Sequence, residues 1–149
     1  MHFTTAILLT FSTLTTAQSC SGSFRCPKTG DIALRLSGAN TDPNVVSVTA
    51  STAIETIDLQ RLYRDGQQIA CHRVSGGGVC AFLERTGDGL TGDKIKELAG
   101  FIPRSGCKAC GSVPISLASG QDGREGILKF DFTTRTCLDG DRGDVQICA

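Results

Sequence analysis

All eight cysteines of the chain lie after residue 19: Cys20, Cys26, Cys71, Cys80, Cys107, Cys110, Cys137 and Cys148. An even set of cysteines behind an apolar N-terminus reads as four disulfides made in an oxidising compartment. Crosslinks of this density stabilise a domain whose apolar core is modest. The core expected here is modest: the chain has seven Phe, one Tyr and no Trp. Two of the Phe, Phe3 and Phe11, fall in the N-terminal apolar run.

That run, Phe3 to Leu14, carries no charge, and the small residues Thr15-Thr16-Ala17 follow it. Residues 1–17 read as a secretory signal peptide cut after Ala17. The run is too short for a spanning helix, which takes about 20 residues. Residues 18–149 are then expected to be a secreted, extracellular, single domain that is not membrane-embedded, with 138–149 as a tail extension. Fifteen Lys+Arg balance fifteen Asp+Glu. Zero net charge gives no drive toward nucleic acid or an anionic membrane, so a charge-based function needs a local patch.

Periodicity suggests an α+β chain. Ile32, Leu34 and Leu36 alternate with Ala33 and Arg35, the pattern of a half-buried strand. Ile54, Ile57, Leu62 and Tyr63 suggest a helix between about Ser51 and Arg64. Gln68–Cys71 and Val79–Leu83 read as two strands joined by the Gly76-Gly77-Gly78 loop, which Cys71 and Cys80 could clip. Ile95, Leu98, Ala99 and Ile102 fall at helical spacing, with Thr91 as N-cap, Asp93 in the first turn and Pro103 as the stop. Cys107 to Pro114 reads as a loop. Gly126 to Thr134 reads as the strongest strand, with Leu128, Phe130 and Phe132 on one face and Lys129 and Asp131 on the other.

The chemistry-bearing motifs are sparse. Cys107-Lys-Ala-Cys110 has redox or zinc spacing, but His72 is the one histidine after the leader, and a structural pair is the expectation. If Cys71 is oxidised, Cys71-His72 holds no thiolate to activate. Arg142-Gly-Asp144 and the acidic Asp139, Asp141 and Asp144 read as solvated tail rather than an integrin motif or a calcium loop. Nucleic-acid hydrolysis by paired imidazoles is poorly served by one histidine. Glycoside hydrolysis needs two facing carboxylates, and nothing singles out a pair among Glu84, Glu97 and Asp131. The expectation is a non-enzyme without metal or cofactor.

Three segments, in order, resemble the fungal killer protein 4 family of secreted toxins. They are Cys20-Ser-Gly-Ser-Phe-Arg-Cys26; Gly66-Gln-Gln-Ile-Ala-Cys71 leading to Gly78-Val-Cys80-Ala-Phe-Leu83; and Gly106-Cys-Lys-Ala-Cys-Gly-Ser-Val-Pro114, with a closing strand that ends in Cys137. The resemblance implies a two-layer α/β sandwich: an antiparallel sheet of about five strands with two helices on one face and left-handed crossovers. Eight cysteines by themselves allow about a hundred pairings. The resemblance implies Cys20–Cys107, Cys26–Cys110 and Cys71–Cys80, and leaves Cys137 and Cys148 as the fourth pair.

It also implies growth inhibition of competing fungi or plant cells through calcium channels, by a rigid monomer that presents a cation at the target-cell surface. The family's important lysine falls two positions before the second cysteine of the small loop, which is Gly78 here. The candidate target-binding cations are therefore Arg73 in the same loop and Lys108, Arg104 and Lys28 near the paired cysteines. The competing expectation is a non-toxic effector, such as a virulence protein, that keeps the scaffold and binds a host protein or a cell-wall component.

Overall fold

The computed structural model describes residues 18–38, 53–138, 140 and 144–149. The expected leader, residues 51–52 of the expected first helix, and Asp139, Asp141 and Arg142 lie outside them. Among the described residues the first regular element is a helix, α1, over Ile32–Ser37, where the alternation predicted a strand. Ile32, Ala33, Leu36 and Ser37 are the buried residues, an i, i+1, i+4, i+5 set that only a helix places on one side. Ile32 and Leu36 satisfy both periods, so the short run is ambiguous by pattern alone. Local chemistry favours the helix. Arg35 pairs with Asp31 one turn away at 2.9 Å. Gly38 adopts a left-handed φ of 74° and donates its N–H to Leu34 O, the usual glycine C-terminal stop.

Within the described residues the predicted helix over Ser51–Arg64 is a single 3₁₀ turn, Ile54–Thr56, followed by extended chain and a two-residue strand, β1, Leu62–Tyr63. Ile54, Ile57 and Tyr63 are buried, whereas Leu62 is exposed. A continuous helix was disfavoured by its Thr and Ile content, and the backbone here has another use. Leu59 O and Arg61 O accept the N–H groups of Asp93 and Gly92 at 3.1 and 3.0 Å. The segment thus supplies acceptors to the open N-terminus of the next helix.

The expected hairpin forms with its strands displaced: β2, Ala70–Val74, starts two residues later than predicted, and β3, Gly77–Glu84, takes in Gly77 and Gly78 of the predicted loop. The turn is only Ser75-Gly76, with Gly76 at φ 77°. Cys71 lies directly opposite Cys80. A short strand β4, Leu90–Thr91, pairs with β1 and leads into α2, Gly92–Ala99. Thr91 stands at the N-cap position without a side-chain bond to the backbone, its hydroxyl donating to Asp93 instead.

Ile95, Leu98, Ala99 and Ile102 are all fully buried. The helix steps at Gly100 into a last turn, α3, Phe101–Arg104. Pro103 sits inside that turn instead of before it. A proline in the first turn of a new helical segment lacks only an N–H that would have had no partner.

The expected cysteine loop ends in a strand, β5, Gly111–Pro114. After a 3₁₀ turn at Ile115–Leu117 come β6, Ile127–Thr133, and in the tail β7, Val145–Ile147. The main sheet has the order β5-β6-β3-β2-β7, with all neighbours antiparallel. Its inner face carries Ala70, Val79, Ala81, Leu83, Leu128, Phe130 and Val113, and these share one apolar core with the helix residues Ile32, Leu36, Ile95, Leu98 and Ile102. The molecule is therefore α+β, a disulfide-stapled antiparallel sheet of five strands with helices on one face and a small second sheet beside them.

The opposite face of the sheet is not bare. Cys71, Cys80 and Cys148 form a second buried cluster with Phe82, Cys137 and Leu138, so the tail folds back over the outer face before β7 joins the edge of β2. The far edge, β5, is covered at one point: Ser19 and Ser112 exchange both backbone hydrogen bonds, at 3.1 and 2.7 Å. Both devices shield strand edges that would otherwise invite pairing with other chains.

Candidate functional site

The four disulfides are Cys20–Cys107, Cys26–Cys110, Cys71–Cys80 and Cys137–Cys148, and no free cysteine remains. The two cysteines of Cys107-Lys-Ala-Cys110 go to different partners, so the motif is not a redox pair. Instead it lies alongside the loop Cys20–Cys26 and is stapled to it twice, at Cα separations of 5.1 and 6.1 Å. Between the stapled loops lies a shallow depression of about 400 Å³, with Phe24, Lys28 and Lys108 among its lining residues.

The loop is held from below by one carboxylate. Asp131, opposite Cys80 on β6, is buried. Its Oδ1 accepts the Ser23 N–H at 2.7 Å and the Phe132 N–H at 2.8 Å. Lys129 Nζ stands 3.1 Å from its Oδ2 and 3.6 Å from Glu84 Oε2. Burial works to raise the Asp131 pKa, but the Ser23 N–H, Lys129 and the Phe132 N–H prevail and hold it below the ordinary carboxylate value. Burial likewise works against the Lys129 charge, yet Asp131 and Glu84 raise its pKa. Gly22 makes the close approach possible. A Cβ there would stand 2.6 Å from Cys110 Cβ and 2.8 Å from Cys26 Sγ, so any side chain would push the loop off the disulfide.

The structure gathers two of the four candidate cations. Lys28 and Lys108 both line the depression. The Lys108 carbonyl accepts the Ala33 N–H at 2.9 Å, which ties its backbone to the start of α1. Arg104 is exposed outside the lining, its guanidinium 5.7 Å from the Phe101 ring centroid. Arg73 stands apart on the hairpin, and its guanidinium donates to Gly140 O at 2.8 Å. His72 Nδ1 lies 2.9 Å from Arg73 O, beside an oxidised Cys71. Sequence reasoning missed Phe24, which is 91% exposed, and Asp131 as an organiser. The signal for Phe24 was legible: a lone aromatic between two crosslinked cysteines in a small polar loop has no regular element to bury it.

Gly78 has a structural reason of its own. A Cβ on it would stand 2.8 Å from Thr136 Cγ2, 3.0 Å from His72 O and 3.3 Å from Leu138 Cδ1. Tail residues thus fill the space into which a side chain at 78 would grow. Gly78→Lys is expected to cost about 1–3 kcal/mol, as overpacking does. Chemical unfolding followed by far-UV circular dichroism would read it, and an unchanged midpoint would show that the tail yields freely.

No curated protein matches the chain. The Kp4 family model matches residues 3–134 and stops before the Cys137–Cys148 segment. A match over most of the length, on a disulfide-stapled α+β sandwich, places this chain in the killer protein 4 (Kp4) family of toxins.

Proposed function

We propose that the protein is a secreted, non-enzymatic killer-type toxin that inhibits the growth of competing fungal or host cells by interfering with calcium entry at their surface. The observation that carries this reading is the Kp4 match, on a scaffold in which every described cysteine is crosslinked. Such a scaffold survives outside the cell and presents surface side chains with little entropy left to lose on binding.

The acting surface is the stapled end with Lys28 and Lys108, and not the hairpin. At the hairpin the family's lysine position is Gly78 under the tail, and Arg73 is held to Gly140. The non-enzymatic reading is supported by what the carboxylates do. Asp131 and Glu84 share Lys129, and Glu97 accepts from Ser119 N–H and Oγ–H at 3.0 and 2.7 Å.

Calcium uptake and growth of sensitive fungal cells test the proposal. Purified protein is expected to lower both. Lys28→Ala with Lys108→Ala should weaken the effect several-fold, and Arg73→Ala should leave it close to unchanged. No effect of the unmodified protein on uptake or growth rejects the toxin reading.

The covered hairpin favours one second reading: an effector that keeps the scaffold and binds a host protein or cell-wall component without blocking a channel. Binding to target cells with normal calcium uptake would establish it.

A further inference from the structure

The depression between the long-range disulfides has features the fold itself does not require. Phe24 projects from it almost wholly into solvent. This ring is not loosely mounted. Its loop is stapled at Cys20 and Cys26, the Ser23 N–H is held by Asp131, and Cys26 N–H closes a turn on Ser23 O at 2.9 Å. The Arg25 guanidinium comes to 5.5 Å from the ring centroid without covering the ring, which keeps a free face. Two exposed lysines, Lys28 and Lys108, line the same depression, and among the described residues no carboxylate does. In a chain with equal numbers of acidic and basic residues, that local imbalance is an electrostatic preference for an anion. Ser23, also in the lining, keeps a buried hydroxyl without a hydrogen-bond partner among the described residues, although buried hydroxyls are ordinarily paired.

We propose that this depression binds an acidic sugar unit of a surface glycan, with the sugar ring against the free face of Phe24 and its acid group at Lys28 and Lys108. The volume suits the assignment, since sites for small ligands begin at about 300 Å³. A bare inorganic anion would use the lysines and leave the aromatic ring idle. A bilayer is flat, whereas the lysines here line a concavity. A sugar acid uses both the ring and the lysines, because its C–H face is apolar and its carboxylate is anionic. This inference rests on the reading of the protein as one that acts at cell surfaces, and it names what the stapled end holds there.

The test is titration of the full-length mature protein with trigalacturonate, followed by amide chemical shifts and calorimetry. Maltotriose, triglutamate and phosphatidylserine vesicles are titrated in parallel. Trigalacturonate is expected to bind, to weaken as salt rises, and to shift amides of residues 22–28 and 106–110. Lys28→Ala with Lys108→Ala should weaken it about tenfold or more, and Phe24→Ala about fivefold. Maltotriose and vesicles should not bind, and triglutamate should bind far more weakly.

All three substituted side chains are exposed, and disulfide mapping of each variant verifies that the fold is intact. Unchanged affinity in the lysine variant, equal binding of triglutamate, or binding of vesicles without the trisaccharide each overturns the proposal. Growth and calcium uptake measured on the same samples keep the two readings apart. Inhibition without trisaccharide binding removes only the glycan inference, and trisaccharide binding without inhibition removes only the toxin reading.

Discussion

Replacing Cys26 and Cys110 together by alanine should lower the unfolding free energy by about 2–3 kcal/mol, because Cys20–Cys107 still closes the long loop and this bridge adds only a ring of about ten residues to it. The bridge joins residues 84 apart in sequence. Replacing Cys20 and Cys107 as well opens the long loop and should cost a further 4–5 kcal/mol, to within about 1 kcal/mol, while the native sheet keeps its own hydrogen bonds. The Cys71–Cys80 bridge spans only 9 residues across one hairpin, and the same relation gives about 2–3 kcal/mol for it. Because the chain has no Trp, far-UV circular dichroism in guanidinium is the suitable readout. A quadruple variant lacking both long-range bridges that is no less stable than the Cys26–Cys110 variant would contradict a denatured-state origin. The Cys26–Cys110 variant should also lose the ordered Phe24 loop, since one of its two staples is gone, and amide exchange at Ser23 to Cys26 should speed up.

Asp131→Ala should be about as damaging as the loss of Cys26–Cys110, costing about 2–4 kcal/mol. It leaves Ser23 N–H without its acceptor and Lys129, itself partly buried, with only Glu84. Asp131→Asn is the informative partner. An amide oxygen can still accept from Ser23 and Phe132, so Asn isolates the charge. The folded pKa of Asp131 lies below its unfolded value. Its contribution is therefore complete above the unfolded pKa, near 4, and disappears as pH falls through the folded pKa. Lys129 behaves in the opposite sense. Its folded pKa is raised, so its contribution is present below the unfolded value and is lost only as pH climbs through the folded one. Asp31, Asp65 and Glu97 are also shifted down, so the unmodified protein should lose stability below about pH 4 for several reasons. The difference between unmodified and Asp131→Asn protein should shrink as pH falls through this range. A difference that stays constant down to pH 2 would show that the carboxylate charge does not stabilise the loop.

Which elements were legible follows from their length and their neighbours. Ile95 to Ile102 repeats its helical spacing over two turns, and Leu128 to Phe132 alternates beside charged residues, so each pattern admitted one reading. Ile32 to Leu36 is too short for its pattern to choose between periods, and burial of Ala33 against the Lys108 backbone decided for the helix. The run from Ala53 to Tyr63 carries apolar residues at nearly helical spacing, yet its backbone was claimed by the N-terminus of α2. The short strand β5 was hidden in a cysteine loop because it is only four residues long and begins with Gly111 and ends with Pro114, residue types that signal turns.

The site divides in the same way. Lys28 and Lys108 could be named from their place beside the paired cysteines, but nothing local distinguishes them from Arg104 or Arg73. Asp131 looked like one carboxylate among several.

The amino-acid sequence by itself determined the density of crosslinks, the family, and the strongest helix and strand, because each is written in residue type and near-neighbour spacing. The tertiary structure alone decided that Lys28 and Lys108 share one depression while Arg73 is tied to the tail. It alone decided that a buried carboxylate anchors the Phe24 loop and that Gly78 lies beneath Thr136 and Leu138. These are meetings of residues tens of positions apart, and only the packing of the whole chain fixes which side chains end up within a few ångströms of one another.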